Sequence, residues 1–357
     1  MRPGSGDPCV TSPVPRAVWE SLLRSDRDAA VSQSLPWRDA VFASGRYQDV
    51  SLLYEFASGR QVILPMTRPR WQPQRAAVVA SWPHEWSVGG PISQEGRVSP
   101  AEAAAVLADV ARRGTLAAAI TLRYNADRNW LSQAGQFRVE KYGCYVLDLR
   151  GGFGHVWQHK FRGDARTAVR KAERSGLDIE VDRSGGLLGV FSDLYEKSIR
   201  DRAARLGQPL WLTRLRMNRA APAALPQIRL VADHFGKDCV TWVARSGGQP
   251  VAALIALRFG THAHGWRVAV DKKLAQPVRA SEYLHRLDIE EACREGYSFY
   301  NMGGAPEGSP LARYKEKLGA VLRFTHELRA ESLPACAFRA TRQFSEDLAR
   351  KALRLQG

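Results

Sequence analysis

Apolar and polar residues recur along this chain in two periods, one near 3.6 and one of 2, and the same succession of elements comes twice. Residues 18–23 and 37–42 carry apolar positions at helical spacing and read as short helices joined by a polar link. Residues 49–57 and 61–66 are apolar runs on either side of Ser58-Gly59, the pattern of a β-hairpin. A loop rich in Trp, Gly and Pro covers residues 81–96. Ser99-Pro100 then opens a helix, with Ser as N-cap, Pro at the first helical position and Glu102 in the first turn. Its apolar side holds Ala103, Val106, Leu107 and Val110, and Gly114 ends it. Residues 115–122 and 144–149 read as strands.

The second half follows the same order. Leu187, Phe191, Leu194, Tyr195 and Ile199 share one face of a helix over residues 187–206, and a proline-interrupted helical region runs on to Phe235-Gly236. Residues 239–245 and 251–259 flank Gly247-Gly248 as a second hairpin, and 264–270 read as a third strand. A long helix over 280–295 closes at Gly296. The aromatic-rich run 297–302 reads as a short buried strand that Gly303-Gly304 break. A loop with Pro306 and Pro310 leads into a short helix at 311–318, and 321–328 form a last strand.

Helix, hairpin, third strand, helix, strand is the order of the GNAT acyltransferase fold, and here it occurs in both halves. The predicted class is therefore α/β (α+β): two tandem GNAT-like domains, each a mixed, mostly antiparallel sheet flanked by helices. The expected organisation is a disordered tail at 1–15, a first domain at 16–155, a basic linker helix and strand at 156–186, a second domain with the catalytic cleft at 187–330, and a C-terminal helix within 331–357.

Charge changes the picture more than composition does. The 357 residues hold 45% hydrophobic and 25% charged residues, ordinary for a globular protein, but the formal net charge is +16. Such an excess favours a polyanionic partner: nucleic acid, an anionic membrane face or a phosphorylated substrate. Only ten of the 52 basic residues are Lys, and an arginine bias of that size also arises from genome composition. Residues 158–175 form one basic stretch, where Arg162, Arg166, Arg170 and Arg174 fall every fourth position with Lys160 and Lys171 beside them. That stripe reads either as a solvated linker helix or as an edge that binds phosphates. Five scattered Cys, with no Cys-x-x-Cys pair, argue for a reducing compartment and against a zinc knuckle. The N-terminal stretch has no apolar core of a signal peptide and no window reaches the length of a membrane span, so a cytoplasmic location is expected.

Most motifs that mark known chemistry are absent. There is no Gly-x-Ser-x-Gly, no His-Glu-x-x-His and no Walker loop. His155 and His159 stand one helical turn apart without a third ligand near in sequence, and His262 with His264 read as surface or supporting residues, so no metal is expected. What remains is the strand that ends in paired glycines and hands over to a helix, a place where ligands collect at the carboxyl end of a strand.

That same stretch carries a resemblance. Tyr300-Asn301-Met302-Gly303-Gly304, a loop, then Leu311-Ala312-Arg313-Tyr314-Lys315-Glu316-Lys317-Leu318-Gly319 resembles the Asp-x-x-Gly and Leu-x-x-Phe-Lys-x-x-Phe-Gly motif of the Fem family. Asn301 stands for the Asp, Tyr314 and Leu318 for the two Phe. The resemblance covers roughly residues 16–330 and implies tandem GNAT-like domains that move an amino acid from aminoacyl-tRNA to an amine, in a peptidoglycan precursor or a peptide-like molecule, without a cofactor. It places the important lysine at Lys315, where an ammonium at the crevice mouth would meet an oxyanion or tRNA phosphate; a solvated helix face is the plainer reading. It implies substrate contacts from Tyr314, Asn301, Gly303 and Gly304, and from Trp266 and Arg267 on the third strand. It implies phosphate contacts from Arg162, Arg166, Arg170, Lys171 and Arg174. In relatives that bind a nucleotide-linked muropeptide, basic residues near Arg202, Arg205 and Trp211, and just after Trp37, hold the diphosphate. Here Trp37 is followed by Arg38-Asp39-Ala40-Val41 with no lysine, and Gly207 by Gln208-Pro209-Leu210.

Two rival readings belong to other classes. An acyl-CoA-dependent N-acyltransferase would hold the pyrophosphate on a glycine-rich turn before the long helix, where backbone N–H groups need close approach. The corresponding stretch, residues 275–281, has no glycine, and Pro277 has no N–H. A non-catalytic nucleic-acid or envelope-assembly binding protein would also suit the charge.

Overall fold

The computed structural model of the chain describes residues 7–73, 76–83, 86–220 and 225–332. The first half runs β1 (Cys9–Thr11), α1 (Arg16–Ser25), α2 (Leu35–Ala43), β2 (Tyr47–Asp49), β3 (Leu52–Glu55), β4 (Gln61–Leu64), β5 (Thr67–Pro69), β6 (Val78–Ala80), β7 (Ile92–Ser93), α3 (Pro100–Arg112), β8 (Ala117–Leu122), α4 (Asn129–Ser132) and β9 (Arg138–Asp148). A connection with α5 (Gly152–His155) and α6 (Gly163–Glu173) leads to β10 (Asp178–Asp182). The second half follows with α7 (Leu188–Leu206), α8 (Leu210–Ala220), α9 (Leu225–Phe235), β11 (Cys239–Ser246), β12 (Gln249–Phe259), β13 (His262–Val270), α10 (Lys272–Val278), α11 (Ala280–Arg294), β14 (Phe299–Gly304), α12 (Pro310–Lys317) and β15 (Val321–Glu331).

Eleven strands form one sheet in the order β10-β11-β12-β13-β14-β9-β15-β8-β6-β5-β2. In each half the third strand of the meander lies parallel to the strand after the long helix: β6 with β8, and β13 with β14. The halves then exchange strands. β9, the last of the first half, pairs with β14 of the second, and β15, the last of the second, pairs with β8 of the first. β9 and β15 lie antiparallel to each other at the centre. Neither half closes its own sheet, so the two are one structural unit.

Strand alternation sorts the centre of this sheet onto two faces. Ala118, Ile120, Leu122 and Leu328 pack on α3, while Tyr145, Leu147, Tyr300 and Met302 pack with residues of α6, α11 and α12. The residues between them, including Thr121, Cys144, Asn301, Thr325 and Glu327, face the other way and floor a groove. On that side a third core joins the halves: Trp19, Trp37 and Trp82 of the first meet Phe191, Ile228, Phe235 and Trp266 of the second.

Local chemistry explains the elements that hold this arrangement. α3 starts in a full capping box, with Ser99 Oγ accepting from the Glu102 N–H at 3.2 Å and Glu102 Oε2 accepting from the Ser99 N–H at 2.7 Å. The first hairpin is bent: β3 and β4 belong to a separate four-stranded sheet with β1 and β7, while β2 and β5 edge the large sheet. No helix among the described residues is long and apolar enough to cross a membrane.

Two expectations change here. The tail expected to be disordered to residue 15 contains β1, which pairs with β3, and Val14 is buried with its N–H on Ser51 Oγ at 3.1 Å. Val14 supplies apolar burial that a proline-rich composition conceals. The single basic helix expected over 158–175 is broken: a π-type turn covers Val156–Lys160, Phe161 is extended and buried, and α6 begins at Gly163. Between β13 and α11, where the sequence marked no element, lies α10, which Asp271 caps through its side chain and which tolerates Pro277 near its end. The C-terminal helix expected within 331–357 falls on residues from 333 onward, which lie outside the described residues.

Candidate active site

β13 and β14 run parallel over three residue pairs, His262–His264 against Phe299–Asn301, and then part. Past Asn301 the β14 backbone turns: Asn301 Oδ1 accepts from the Gly303 N–H at 2.7 Å, and Gly303 has φ of 72°, a left-handed conformation that a Cβ would strain. The paired glycines thus serve this turn.

Lys315 of α12 stands directly behind it. Its Nζ donates to the carbonyls of Gly303 at 3.0 Å and Gly304 at 2.8 Å. It is only 6% exposed, and burial pulls its pKa down to about 8. Lys315 does not line the groove; the two glycines it grips do. The ammonium therefore sits one peptide unit behind the wall rather than at the mouth of a crevice, as the sequence suggested.

A buried network fixes the spacing of β13 and β14 from the helix side. The fully buried Asp288 of α11 accepts from Trp242 Nε1 at 2.9 Å, from Tyr300 Oη at 2.5 Å and from the Arg258 guanidinium. Asp288 keeps Arg258 charged despite its burial, which opposes the charge. Tyr300 Oη lies so near Gly265 of β13 that a Cβ there would stand 2.6 Å from it. Gly265 is what lets the two strands approach over this network.

The groove itself has a volume of about 620 Å³ and takes residues from both halves. Its floor crosses β13, β14, β9, β15, β8 and β6, and Ala30, Val31 and Ser32 with Trp82, Pro83, Ser87 and Val88 form a wall. That wall is fastened by Trp82 Nε1 donating to Ser32 O at 2.7 Å and Ser32 Oγ donating to Val88 O at 2.5 Å. The charges on the floor are largely matched. Arg123 is held by both oxygens of buried Asp26 at 2.8 and 2.9 Å, and Arg329 pairs with Glu327 at 2.7 Å. Hydroxyls and neutral rings supply the rest: Ser32, Thr67, Thr121, Tyr124, Tyr142 and Thr325.

Four polar atoms of the lining have no hydrogen-bond partner among the described residues: Arg123 Nε, Tyr124 Oη, Asn125 Oδ1 and His262 Nε2. His262 stacks on Phe299 at 5.2 Å and meets Tyr124 edge-on at 6.5 Å. Burial lowers the pKa of His262 to about 4 and that of His264 to about 3, so both are neutral imidazoles at pH 7. Cys144 lies beside them on the floor, and burial pushes its thiol up to about 11, so it is a neutral wall residue rather than a nucleophile. The site offers alignment and neutral hydrogen-bonding groups to an incoming molecule, with one buried cation behind its wall.

The start of α11, where a GNAT domain would receive a pyrophosphate, is differently furnished. α10 fills the preceding stretch, and Arg279 between the helices is left-handed at φ 56°. Glu282, buried in the first turn of α11, already places a carboxylate on the positive helix end, and Lys317 Nζ donates to it at 2.9 Å.

The remaining residues singled out from the sequence divide. Asn301, Gly303 and Gly304 line the groove. Trp37 and Trp266 meet each other edge-on at 5.6 Å in the core between the halves and do not line it, and Arg267 lies over the Trp266 ring at 4.7 Å. Tyr314 Oη contacts His285 Nδ1 at 2.9 Å against α11, again away from the groove. Arg202, Arg205 and Trp211 are exposed at the end of α7 and start of α8. Of the basic stripe, Arg162, Arg170, Lys171 and Arg174 are exposed, but Arg166 turns back to donate to the carbonyls of Trp157, Gln158 and Phe161 at 3.2, 3.1 and 2.6 Å and so caps the preceding turn. Sequence reasoning missed Arg123, Tyr124, Cys144 and Glu327 and set His262 and His264 aside, since these come from separate strands and share no motif. Among the described residues no group of three His, Cys, Asp or Glu could hold a metal ion.

Residues 159–316 match the sequence model of the acetyltransferase (GNAT) domain. No curated protein sequence matches the chain. Among solved structures, FemX superposes with a TM-score of 0.64 at 9% identity, covering 89% of this chain and 96% of FemX. L-PGS from Bacillus licheniformis does so with a TM-score of 0.54 at 16% identity, covering 92% and 96% of the two chains. The C-terminal domain of a putative lysylphosphatidylglycerol synthetase from Agrobacterium fabrum gives 0.52 at 14% identity, over 90% and 96%. At these identities the likeness is one of fold.

Proposed function

We propose that this chain, which has the Fem-like GNAT fold, is an acyltransferase that moves an amino acid from aminoacyl-tRNA to a free amine held in the groove. The observation that carries this reading is the pairing of an open β13/β14 wedge, facing a groove shared by both halves, with a start of α11 that has Glu282 in its first turn and α10 rather than a glycine turn before it. A CoA pyrophosphate needs bare N–H groups at that helix end. Here it would meet a carboxylate and a preceding helix instead of a glycine turn. A donor that brings its phosphates to the exposed residues Arg162, Arg170, Lys171 and Arg174 escapes that conflict.

The acceptor amine attacks the ester carbonyl in the wedge; as the C–N bond forms and the ester C–O bond breaks, the amine's proton passes to the departing ribose oxygen, which leaves as the hydroxyl. No covalent enzyme intermediate is involved, in keeping with a neutral Cys144. Lys315 supports the step from behind the wall. Its charge polarises the Gly303 and Gly304 peptides and favours negative charge developing on the carbonyl oxygen in front of them. The acceptor is an amine of peptidoglycan-precursor or peptide-like character, and the matched charges of the floor suit a molecule with little net charge in its buried part.

A donor titration tests the reading. Binding of charged tRNA and of acetyl-CoA is followed separately at low and high salt. Tight tRNA binding that weakens steeply with salt, with no response to acetyl-CoA, is expected. Saturable acetyl-CoA binding without tRNA binding would overturn the donor assignment and leave an acyl-CoA-dependent enzyme. A response to neither would favour a non-catalytic binding protein.

A further inference from the structure

The corner between α7 and α8 wears its apolar residues outside. α7 ends at Gly207 in the left-handed conformation, and the Gln208 N–H returns to Ala203 O at 3.0 Å, a close of the Schellman kind. On α8, Leu210, Trp211, Arg214 and Leu215 share one face. That face points to solvent: Trp211 is 67% exposed, Leu215 45% and Leu210 37%, with Leu206 of α7 next to them at 49%. Thr213, from the opposite side of α8, is buried. Over residues 210–215, with Leu212 half-buried and Thr213 buried, the Leu/Trp stripe faces outward, against the usual arrangement of a surface helix.

The charge left unpaired around this patch, among the described residues, has one sign. Arg200, Arg202 and Arg205 are exposed on the last turns of α7 and make no ion pair among the described residues. The acidic neighbours are already engaged, Asp201 with Lys197 at 3.6 Å and Glu196 with Arg214 at 2.6 Å.

The geometry points to a docking surface for an anionic lipid bilayer, with Trp211 and the leucines entering the boundary between headgroups and acyl chains and the arginines meeting lipid phosphates. The composition of the patch selects this occupant. A nucleic acid would use Trp211 and the arginines but would leave three leucines in water. A second copy of the chain, related by twofold symmetry, would bring the arginine rims face to face. This inference is independent of the reaction proposed above, and its test does not read activity.

The full chain is sedimented with vesicles of phosphatidylcholine alone and of phosphatidylcholine with phosphatidylglycerol, at low and high salt. Partitioning about tenfold or more in favour of the anionic vesicles, weakening with salt, is expected. A Trp211→Ser/Leu215→Ser variant loses about tenfold of that binding, and Arg202→Glu/Arg205→Glu loses a similar share, while the circular dichroism and melting temperature of both stay at wild-type values. The inference is overturned if wild type ignores both kinds of vesicle, or if both variants bind like wild type. It is also overturned if the serine variant abolishes a concentration-dependent dimer formed without lipid, or if tRNA but not vesicles shields Trp211.

Discussion

Lys315 concentrates the physics of the site in one side chain. Its ammonium is buried against two peptide carbonyls and its pKa is lowered from 10.5 to about 8. The charged form is the one proposed to act, so transfer should decline as pH rises through about 8, and the decline should vanish in Lys315→Met together with about a hundredfold or more of kcat. Stability moves in the opposite sense. Between about 8 and 10.5 the unfolded chain holds a proton on this lysine that the folded chain has released, so this residue makes the protein more stable as pH rises across that window. The urea midpoint of wild type relative to Lys315→Met should therefore climb from pH 8 to pH 10.5. Gly265 gives a second residue-level check. Gly265→Ala would place a methyl 2.6 Å from Tyr300 Oη and is expected to cost about 1–3 kcal/mol in urea unfolding, since neither the strand nor the anchored tyrosine can give way. Lys315 could be found from sequence because it sits in a short motif with fixed spacing. His262, Tyr124 and Arg123 could not, because each becomes a groove residue only through strand pairing hundreds of atoms away along the chain.

At the scale of elements, local signals were readable where local chemistry decides the outcome. The hairpins around Ser58-Gly59 and Gly247-Gly248 and the helix opened by Ser99-Pro100 lie where periodicity and turn residues put them, whereas the strand expected to break at Gly303-Gly304 runs through them across a register shift, with Gly304 paired to Cys144. Ser99→Ala should cost about 1 kcal/mol of thermal stability through the lost capping box and leave transfer untouched, since α3 packs on the face of the sheet away from the groove. Elements that depend on tertiary partners were not readable. The basic stretch from 158 to 175 looks continuous in helical period, yet Phe161 leaves the helix to enter a core and Arg166 caps the turn before it. α10 forms because Asp271 caps it, with two backbone N–H groups on one carboxylate oxygen, a signal that Pro277 masks.

The molecule as a whole rests on an exchange that no sequence pattern announces. Two similar halves are legible as a repeat of elements, but the pairing of β9 with β14 and of β15 with β8 is a property of the assembled sheet. A cut in the connection between β9 and α6 should leave two fragments that stay together through gel filtration, and the fragment from 156 to 332 alone should aggregate or remain unfolded, because β14 and β15 would then expose unpaired edges. The same exchange brings the β13/β14 wedge and the floor of β8 and β6 into one groove, which is where an acyl donor and an amine can meet. The most direct test is to follow the acyl group itself. Bulk tRNA charged with labelled amino acids is mixed with the protein and with a pool of dipeptides and a lysine-containing stem peptide. Label should leave the RNA faster than spontaneous hydrolysis allows and appear in a base-stable amide, with Lys315→Met slower by about a hundredfold. Label that leaves no faster than without protein, alongside amide formation from acetyl-CoA and the same amines, would contradict the account.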